Sequence, residues 1–287
     1  MKPRLAIVGV GLMGASLATA LRAADFVSDI VGIDENPDSL AVAREHGWID
    51  RGAAHFRRGD ADIVVLATPV GVMPDLLATI KPLLSGQAIV TDLGSVKQPI
   101  SCAAKALGLR RFIPGHPIAG AECSGPEAAR PTLFVDRMVV LTPLDGHDPE
   151  ALSTVRAMWE AVGARVLLAS PEQHDHMVGY TSHLPHLLAF ACADFLNAQA
   201  TEADLYPFMG TGLRDFLRIA GSDPRMWRDI CAANAPVLGP LLAAFGEHLA
   251  AYGQALASGN FAELHAHFVK AQAFRETLSP EACRGES

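Results

Sequence analysis

Over the first 170 positions, short apolar runs alternate with helix-like stretches. Arg4-Leu5-Ala6-Ile7-Val8, Ile30-Val31-Gly32-Ile33, residues 62–67 and residues 87–91 read as strands. Each is apolar on both faces, as strands buried in a parallel sheet must be. Residues 12–24, rich in Ala and Leu, and 38–46, with no breaker within 39–45, read as helices between them, which predicts βαβ units. Residues 137–141 and 164–168 read as two further strands with a helix over 149–162 between them. After Ser170 the strand-like runs stop. Long Ala/Leu-rich helices are predicted over 173–199, 224–257 and 260–278. Ser222-Asp223-Pro224 is a helix start, with Ser or Asp as N-cap and Pro in the first turn. The pattern therefore predicts an α/β domain over 1–170 and an all-α domain over 171–287, with fraying from Ser279.

Length and composition agree with this picture. At 287 residues the prior is about two domains. Half of the residues are hydrophobic and 19% are charged, against roughly 25% in an average soluble protein. General disorder is excluded, because it needs low hydrophobicity and high charge. With 23 basic and 31 acidic residues and a net charge of −8, and no Lys/Arg-dense stretch, the chain lacks the electrostatic footprint of a nucleic-acid binder. The five cysteines, at 102, 123, 192, 231 and 283, are scattered and form no Cys-x-x-Cys. A disulfide framework is not expected, and a reducing, cytoplasmic setting is.

Lys2 and Arg4 precede an uncharged run from Leu5 to Leu21, and Ala18-Thr19-Ala20 imitates a signal-peptide cleavage site. Gly9, Gly11, Gly14, Ser16 and Thr19 break that run as an apolar core, and three of the glycines have another explanation. Gly9-Val10-Gly11-Leu12-Met13-Gly14 follows the first strand and opens the first helix. In a dinucleotide fingerprint the first glycine makes the tight turn, the second admits the pyrophosphate, and the third lets helix and strand pack closely. The helix N-terminus offers free N–H groups to the phosphates. Asp34 ends the second strand, placed to accept hydrogen bonds from the adenosine ribose. It would repel a 2′-phosphate, and Glu35 and Asn36 follow it with no Arg beside it. The expected cofactor is therefore NAD rather than NADP, in a Rossmann-like fold. Thr68 and Pro69, at the end of the next strand, lie where such folds receive it. No other uncharged apolar stretch reaches the ~18–20 residues of a membrane helix, so no membrane partner is expected.

Two polar segments follow later strands: Asp92-Leu93-Gly94-Ser95-Val96-Lys97, and Gly115-His116-Pro117-Ile118-Ala119-Gly120. Both read as loops facing the nicotinamide end. Oxidising an alcohol by hydride transfer needs a group that takes the hydroxyl proton, and a neutral His suits this. His116 is the candidate base. Ser95 is a candidate to hold the substrate hydroxyl, or else a helix cap for the segment after Gly94. In the helical half, His174-Asp175-His176 and Ser182-His183-Leu184-Pro185-His186 place four histidines close together. Their spacing is no standard zinc pattern and no Cys completes it, so polar contacts to a cleft are expected and no metal. Arg218, in Gly210-Thr211-Gly212-Leu213-Arg214-Asp215-Phe216-Leu217-Arg218, could clamp a carboxylate or form a surface ion pair.

Taken together, these motifs, with Phe216-Leu217-Arg218-Ile219-Ala220-Gly221-Ser222-Asp223-Pro224-Arg225-Met226-Trp227, resemble the prephenate/arogenate dehydrogenase family of tyrosine biosynthesis. The resemblance runs from the Gly9 fingerprint to about residue 230, with compatible helices to about 278. It implies NAD-dependent oxidative decarboxylation of prephenate to 4-hydroxyphenylpyruvate. It implies that His116 is the base on the ring hydroxyl, that Ser95 holds that hydroxyl and the nicotinamide in register, and that Arg218 binds the ring carboxylate. His186 matches a substrate-cleft histidine, and Arg214, Asp215 and Trp227 would shape the cleft. Gly9, Gly11, Leu12, Met13, Gly14, Asp34, Thr68, Pro69 and Ser95 would meet the cofactor. A homodimer through the helical domain is implied, with no room for the mutase or regulatory modules that some members carry. The loop 121–125 is expected to line the site and nothing more.

Three other readings stay open. The first is an arogenate-preferring or dual-substrate enzyme. The second is a β-hydroxyacid dehydrogenase, which would want a lysine within 173–199, where none occurs. The third is a non-catalytic NAD-binding protein, which would have no use for the segments 92–97 and 115–120.

Overall fold

The computed structural model describes residues 2–120 and 125–278. Most of the 121–125 loop and the tail from Ser279, both given expectations above, lie outside the described residues. The chain forms two compact units, one up to Leu238 and one from Gly239 onward.

The first unit is built on a six-stranded parallel sheet. Its strands are β1 (Arg4–Val8), β2 (Asp29–Ile33), β3 (Arg51–Ala53), β4 (Ile63–Leu66), β5 (Ile89–Asp92) and β6 (Phe112–Ile113), in the order β3-β2-β1-β4-β5-β6. Residues along each strand alternate between two cores. Leu5, Ile7, Ile63 and Val65 enter one; Ala6, Val8, Val64 and Leu66 enter the other. This is why the strands read as unbroken apolar runs. Helices α1 (Leu12–Ala23), α2 (Pro37–Glu45), α3 (Met73–Ile80) and α4 (Gln98–Ala106) make the crossovers. The strand order reverses between β1 and β4, the point where ligands bind in such sheets.

A second, three-stranded sheet follows: β7 (Gly115–Pro117), β8 (Met138–Leu141) and β9 (Arg165–Leu168), with α5 (Pro149–Ala161) between the last two. Strand β7 runs antiparallel to β8, pairing His116 with Val140, and β8 runs parallel to β9. His116 therefore sits on a strand and not in a loop as the sequence pattern suggested. Three residues between Pro114 and Ile118 are too few to show a strand periodicity.

Helix α6 (Pro171–Val178) starts at Ser170, whose hydroxyl accepts the Gln173 N–H, with Pro171 in the first turn. It passes through a π-helical turn, Gly179–His183, into α7 (Leu184–Gln199). Short helices α8 (Glu202–Leu205) and α9 (Thr211–Leu217) lead to α10 (Pro224–Ala233), capped by Asp223. The stretch read as one helix over 224–257 is two, because the chain leaves α10 at Asn234 before α11 (Ala235–Ala257). Pro236 has no N–H to continue the ladder from α10, and the Asn234 side-chain amide bonds tertiary partners described below. The second unit holds the greater part of α11, and α12 (Phe261–Thr277). Among the described residues no single helix is long and apolar enough to cross a membrane.

Candidate active site

The fingerprint glycines do three different things. Gly9 has φ +97°, and a Cβ there would lie 2.7 Å from the Ala67 carbonyl. A Cβ on Gly14 would lie 2.1 Å from the Gly9 oxygen, so this glycine seats α1 against β1. A Cβ on Gly11 would meet nothing within 4 Å. Gly11 is also the N-cap of α1 and gives its N–H groups no side-chain partner; no acidic residue stands in the first turn. Open space beside uncapped helix N–H groups is what a pyrophosphate needs. Leu12 and Met13 open α1 and are partly buried.

The Asp34 carboxylate accepts from Val10 N at 2.7 Å and from Asn36 N at 2.8 Å. Both bonds fix the side chain at the carboxyl end of β2, and a carboxylate has further lone pairs for a ribose. Thr68, whose backbone N would lie 2.9 Å from a Cβ on Gly9, has a buried hydroxyl with no partner among the described residues. Pro69 beside it is exposed. These residues fit a dinucleotide: a phosphate cradle, a ribose acceptor and an orphaned hydroxyl converge on the β1/β4 switch point.

Next to the crevice lies a buried polar cluster. Asp92, at the end of β5, pairs with the Lys97 ammonium, and both side chains are fully buried. Asp92 also accepts from Gly94 N at 2.8 Å and Gly115 N at 3.2 Å, and Lys97 Nζ donates to Gly115 O at 2.7 Å. Both polar groups of the residue before His116 are thereby held. Asp175, on α6, accepts from Lys97 N and Gln98 N at 2.7 and 2.8 Å, capping α4 from outside its own segment. Ser95 is therefore not the cap of α4.

His174 Nδ1 lies 2.7 Å from Asp175 Oδ1, and His174 Nε2 lies 2.8 Å from His116 Nδ1. Burial, and after it His174, Lys97 and His183, holds the His116 pKa well below the ordinary histidine value. The π-helical turn brings His183 to the same cluster. Its Nδ1 lies 3.0 Å from Asn234 Nδ2, which also donates to the Asp175 carbonyl at 3.0 Å. Burial takes the His183 pKa down to about 4, Asp175 opposing and His174 and His186 adding to the shift. A π-helical turn of this kind often marks a functional site.

His186 stacks on Trp227 at 3.9 Å between ring centroids, with its Nδ1 2.9 Å from Ser182 O. Trp227 is buried with no partner for its indole N–H among the described residues, and packs with Val96 and Ile230 against Val70 and Phe190. Burial lowers the His186 pKa, its bond to the Ser182 carbonyl opposes this, and the Arg218 charge lowers it further. Arg218 is thus electrostatically coupled to His186. Val96, next to Ser95, packs on Trp227, which stacks on His186, whose charge state Arg218 influences in turn. Arg214 and Asp215 are exposed on α9 and are not among the groups that converge on His116.

Residues 17–168 match the family model described as the prephenate dehydrogenase nucleotide-binding domain, and residues 170–270 match its dimerization domain. The chain belongs to the prephenate dehydrogenase family. It is 34% identical to a cyclohexadienyl dehydrogenase of Zymomonas mobilis over 283 residues, 96% of each protein. A Bacillus subtilis prephenate dehydrogenase is 35% identical over 82% of this chain and 65% of its own length. Among solved structures, prephenate dehydrogenase from Aquifex aeolicus superposes with a TM-score of 0.90 at 37% identity, over 97% of this chain and 99% of that one.

The sequence pattern assigns no individual role to Asp92, Lys97 or Asn234, and reads His174, Asp175 and His183 only as polar contacts to a cleft. Asp92 and Lys97 were visible inside a motif, but nothing in the sequence says that both are fully buried.

Proposed function

We propose that this chain catalyses NAD⁺-dependent oxidative decarboxylation of prephenate to 4-hydroxyphenylpyruvate, with arogenate as the alternative substrate. The observation that carries the proposal is His116. It is an imidazole kept uncharged by its surroundings, with one ring nitrogen engaged by His174, beside a crevice built for a dinucleotide. Gly11, the N–H groups of α1, Asp34 and Thr68 would hold the cofactor. Bound NAD⁺ supplies the hydride acceptor for the ring carbinol carbon. His116 takes the hydroxyl proton as that carbon becomes a carbonyl. The ring carboxylate then leaves as carbon dioxide, its bonding pair enters the ring, and the phenolate oxygen recovers a proton. Ser95 would orient the hydroxyl, and Arg218 would bind a substrate carboxylate by a charge-assisted pair. NAD is preferred to NADP because Asp34 stands where a 2′-phosphate would be repelled.

The arogenate alternative has a specific support. The Zymomonas mobilis relative is a cyclohexadienyl dehydrogenase, and an arogenate dehydrogenase of Synechocystis superposes at TM-score 0.77 and 30% identity, over 96% of this chain and all of that one. The division of labour proposed is a nucleotide half up to about residue 170 and a substrate-binding and dimerising half after it. In the latter, α11 and α12 expose Leu249, Leu256, Phe261, Phe268, Val269 and Phe274. Apolar surface of this extent supports pairing with a second copy.

The deciding experiment follows NADH formation with NAD⁺ and either prephenate or arogenate, together with product identification. NADH and 4-hydroxyphenylpyruvate from prephenate are expected. Turnover of arogenate alone would change the substrate and keep the chemistry, and turnover of neither would overturn the proposal. Light scattering on the purified protein checks the dimer.

A further inference from the structure

We infer that His174, held by Asp175, is a positioning residue that fixes His116 as the tautomer protonated on Nδ1, leaving its Nε2 lone pair for the substrate. The inference rests on the reading of His116 as the base. It starts from what each group can do. An ionised carboxylate only accepts, so the 2.7 Å contact between Asp175 Oδ1 and His174 Nδ1 requires a proton on that nitrogen. The neutral His174 ring then has a lone pair on Nε2. At 2.8 Å from His116 Nδ1, that lone pair accepts the Nδ1–H of His116. The second nitrogen of His116, Nε2, is left basic.

The competing arrangement puts a second proton on His174 and turns His116 round to its Nε2–H form, which cannot act as a base. The surroundings disfavour it. The Asp175 carboxylate is already shared with the N–H groups of Lys97 and Gln98 at the positive end of α4. This leaves it less able to stabilise a charged His174. His174 is almost fully buried, and the Lys97 ammonium stands in the same cluster. The groups facing the His116–His174 pair are Asp175 from α6, Lys97 at the start of α4 with its partner Asp92 from β5, and His183 from the π-helical turn. Asn234 pins the Asp175 carbonyl and His183 together. The chain is therefore anchored at both ends: by the α4 N-terminus at Asp175, and by the Lys97–Gly115 bond just before His116.

Two variants and one spectrum test this on the full-length protein. Long-range ¹⁵N–¹H NMR of histidine-labelled wild type, without substrate, should show His116 protonated on Nδ1. His174→Leu should lose that preference and lower kcat by about 100-fold, the order of a general base's contribution, with KM and NAD⁺ affinity nearly unchanged. His174→Gln should recover most of kcat, because its amide oxygen can accept the Nδ1–H. His116 protonated on Nε2 in the wild type would overturn the inference, and so would His174→Leu with wild-type kcat. An equal loss in the Leu and Gln variants would also overturn it. If His116 has the expected tautomer but neither cyclohexadienyl substrate turns over, the proposed function fails while the positioning role stands. If the Leu variant does not fold, the wild-type spectrum and the Gln variant still decide.

Discussion

Lys97 and Asp92 form an ion pair from which solvent is wholly excluded. The pair closes the six-residue segment that carries Ser95 and, through Gly115, fixes the strand that carries His116. Burial pulls the Lys97 pKa below its ordinary value, while Asp92 and then Asp175 push it back. Removing one member leaves the other as an uncompensated buried charge, which costs about 3–5 kcal/mol. Lys97→Met keeps most of the stem volume and should lower unfolding stability by that amount in urea titrations. Unchanged stability would mean that Asp92 is neutralised or hydrated in some other way.

The three fingerprint glycines should separate by phenotype. Gly14→Ala drives a methyl to 2.1 Å from a backbone oxygen, so helix and strand must part and the protein should lose stability. Gly11→Ala has open space and φ −90°, which any L-residue adopts. It should melt like the wild type while binding NAD⁺ at least tenfold more weakly, because its methyl takes the room of the pyrophosphate. Thermal melting and calorimetric titration of both variants check this. Unaltered NAD⁺ affinity in Gly11→Ala would place the phosphates elsewhere.

His183 makes a pH-dependent stability expectation whose sign is fixed. Its folded pKa is about 4, against about 6.5 in an unfolded chain. Above pH ~6.5 the residue is neutral in both states and contributes no difference. As the pH falls from there towards 4, the unfolded chain binds a proton that the folded one refuses, so stability is progressively lost. The loss levels off at about 3 kcal/mol once both states are protonated. His183→Gln keeps an acceptor for Asn234 and removes the titration. The difference in stability between wild type and variant should therefore change between pH 7 and pH 4, and parallel curves would contradict the assignment.

The nucleotide crevice was legible in the sequence because its determinants are local. Gly9, Gly11 and Gly14 lie within six residues, and Asp34 ends the very next strand. His116 stood out as a candidate for a similar reason: it is flanked by Gly115 and Pro117. What surrounds it could not, since His116 meets His174 across 58 positions and Lys97 N meets Asp175 across 78. The break at Asn234 had a local signal, because Asn234-Ala235-Pro236 puts a capping residue before a proline of a new first turn; the Ala/Leu-rich residues around it masked that signal. The β7 strand was too short to show a period. Local motifs were readable, and the long-range contacts around His116 were not.

These contacts have a kinetic signature. As a base, His116 works only when neutral, so kcat/KM should fall as the pH drops through its pKa in the free enzyme. Burial lowers that pKa, and His174, Lys97 and His183 lower it further. The acid limb should therefore lie well below the ordinary histidine value of about 6.5, with a flat rate across neutral pH. Taking away one of these influences should move the limb in a known direction. In Lys97→Met, assayed at a temperature where the variant is folded, a positive neighbour is gone and protonation of His116 becomes easier. The limb should then shift to higher pH, and the variant should lose activity in mild acid where the wild type keeps it. A limb that stays in place would show that Lys97 acts on the fold around His116 and not on its charge.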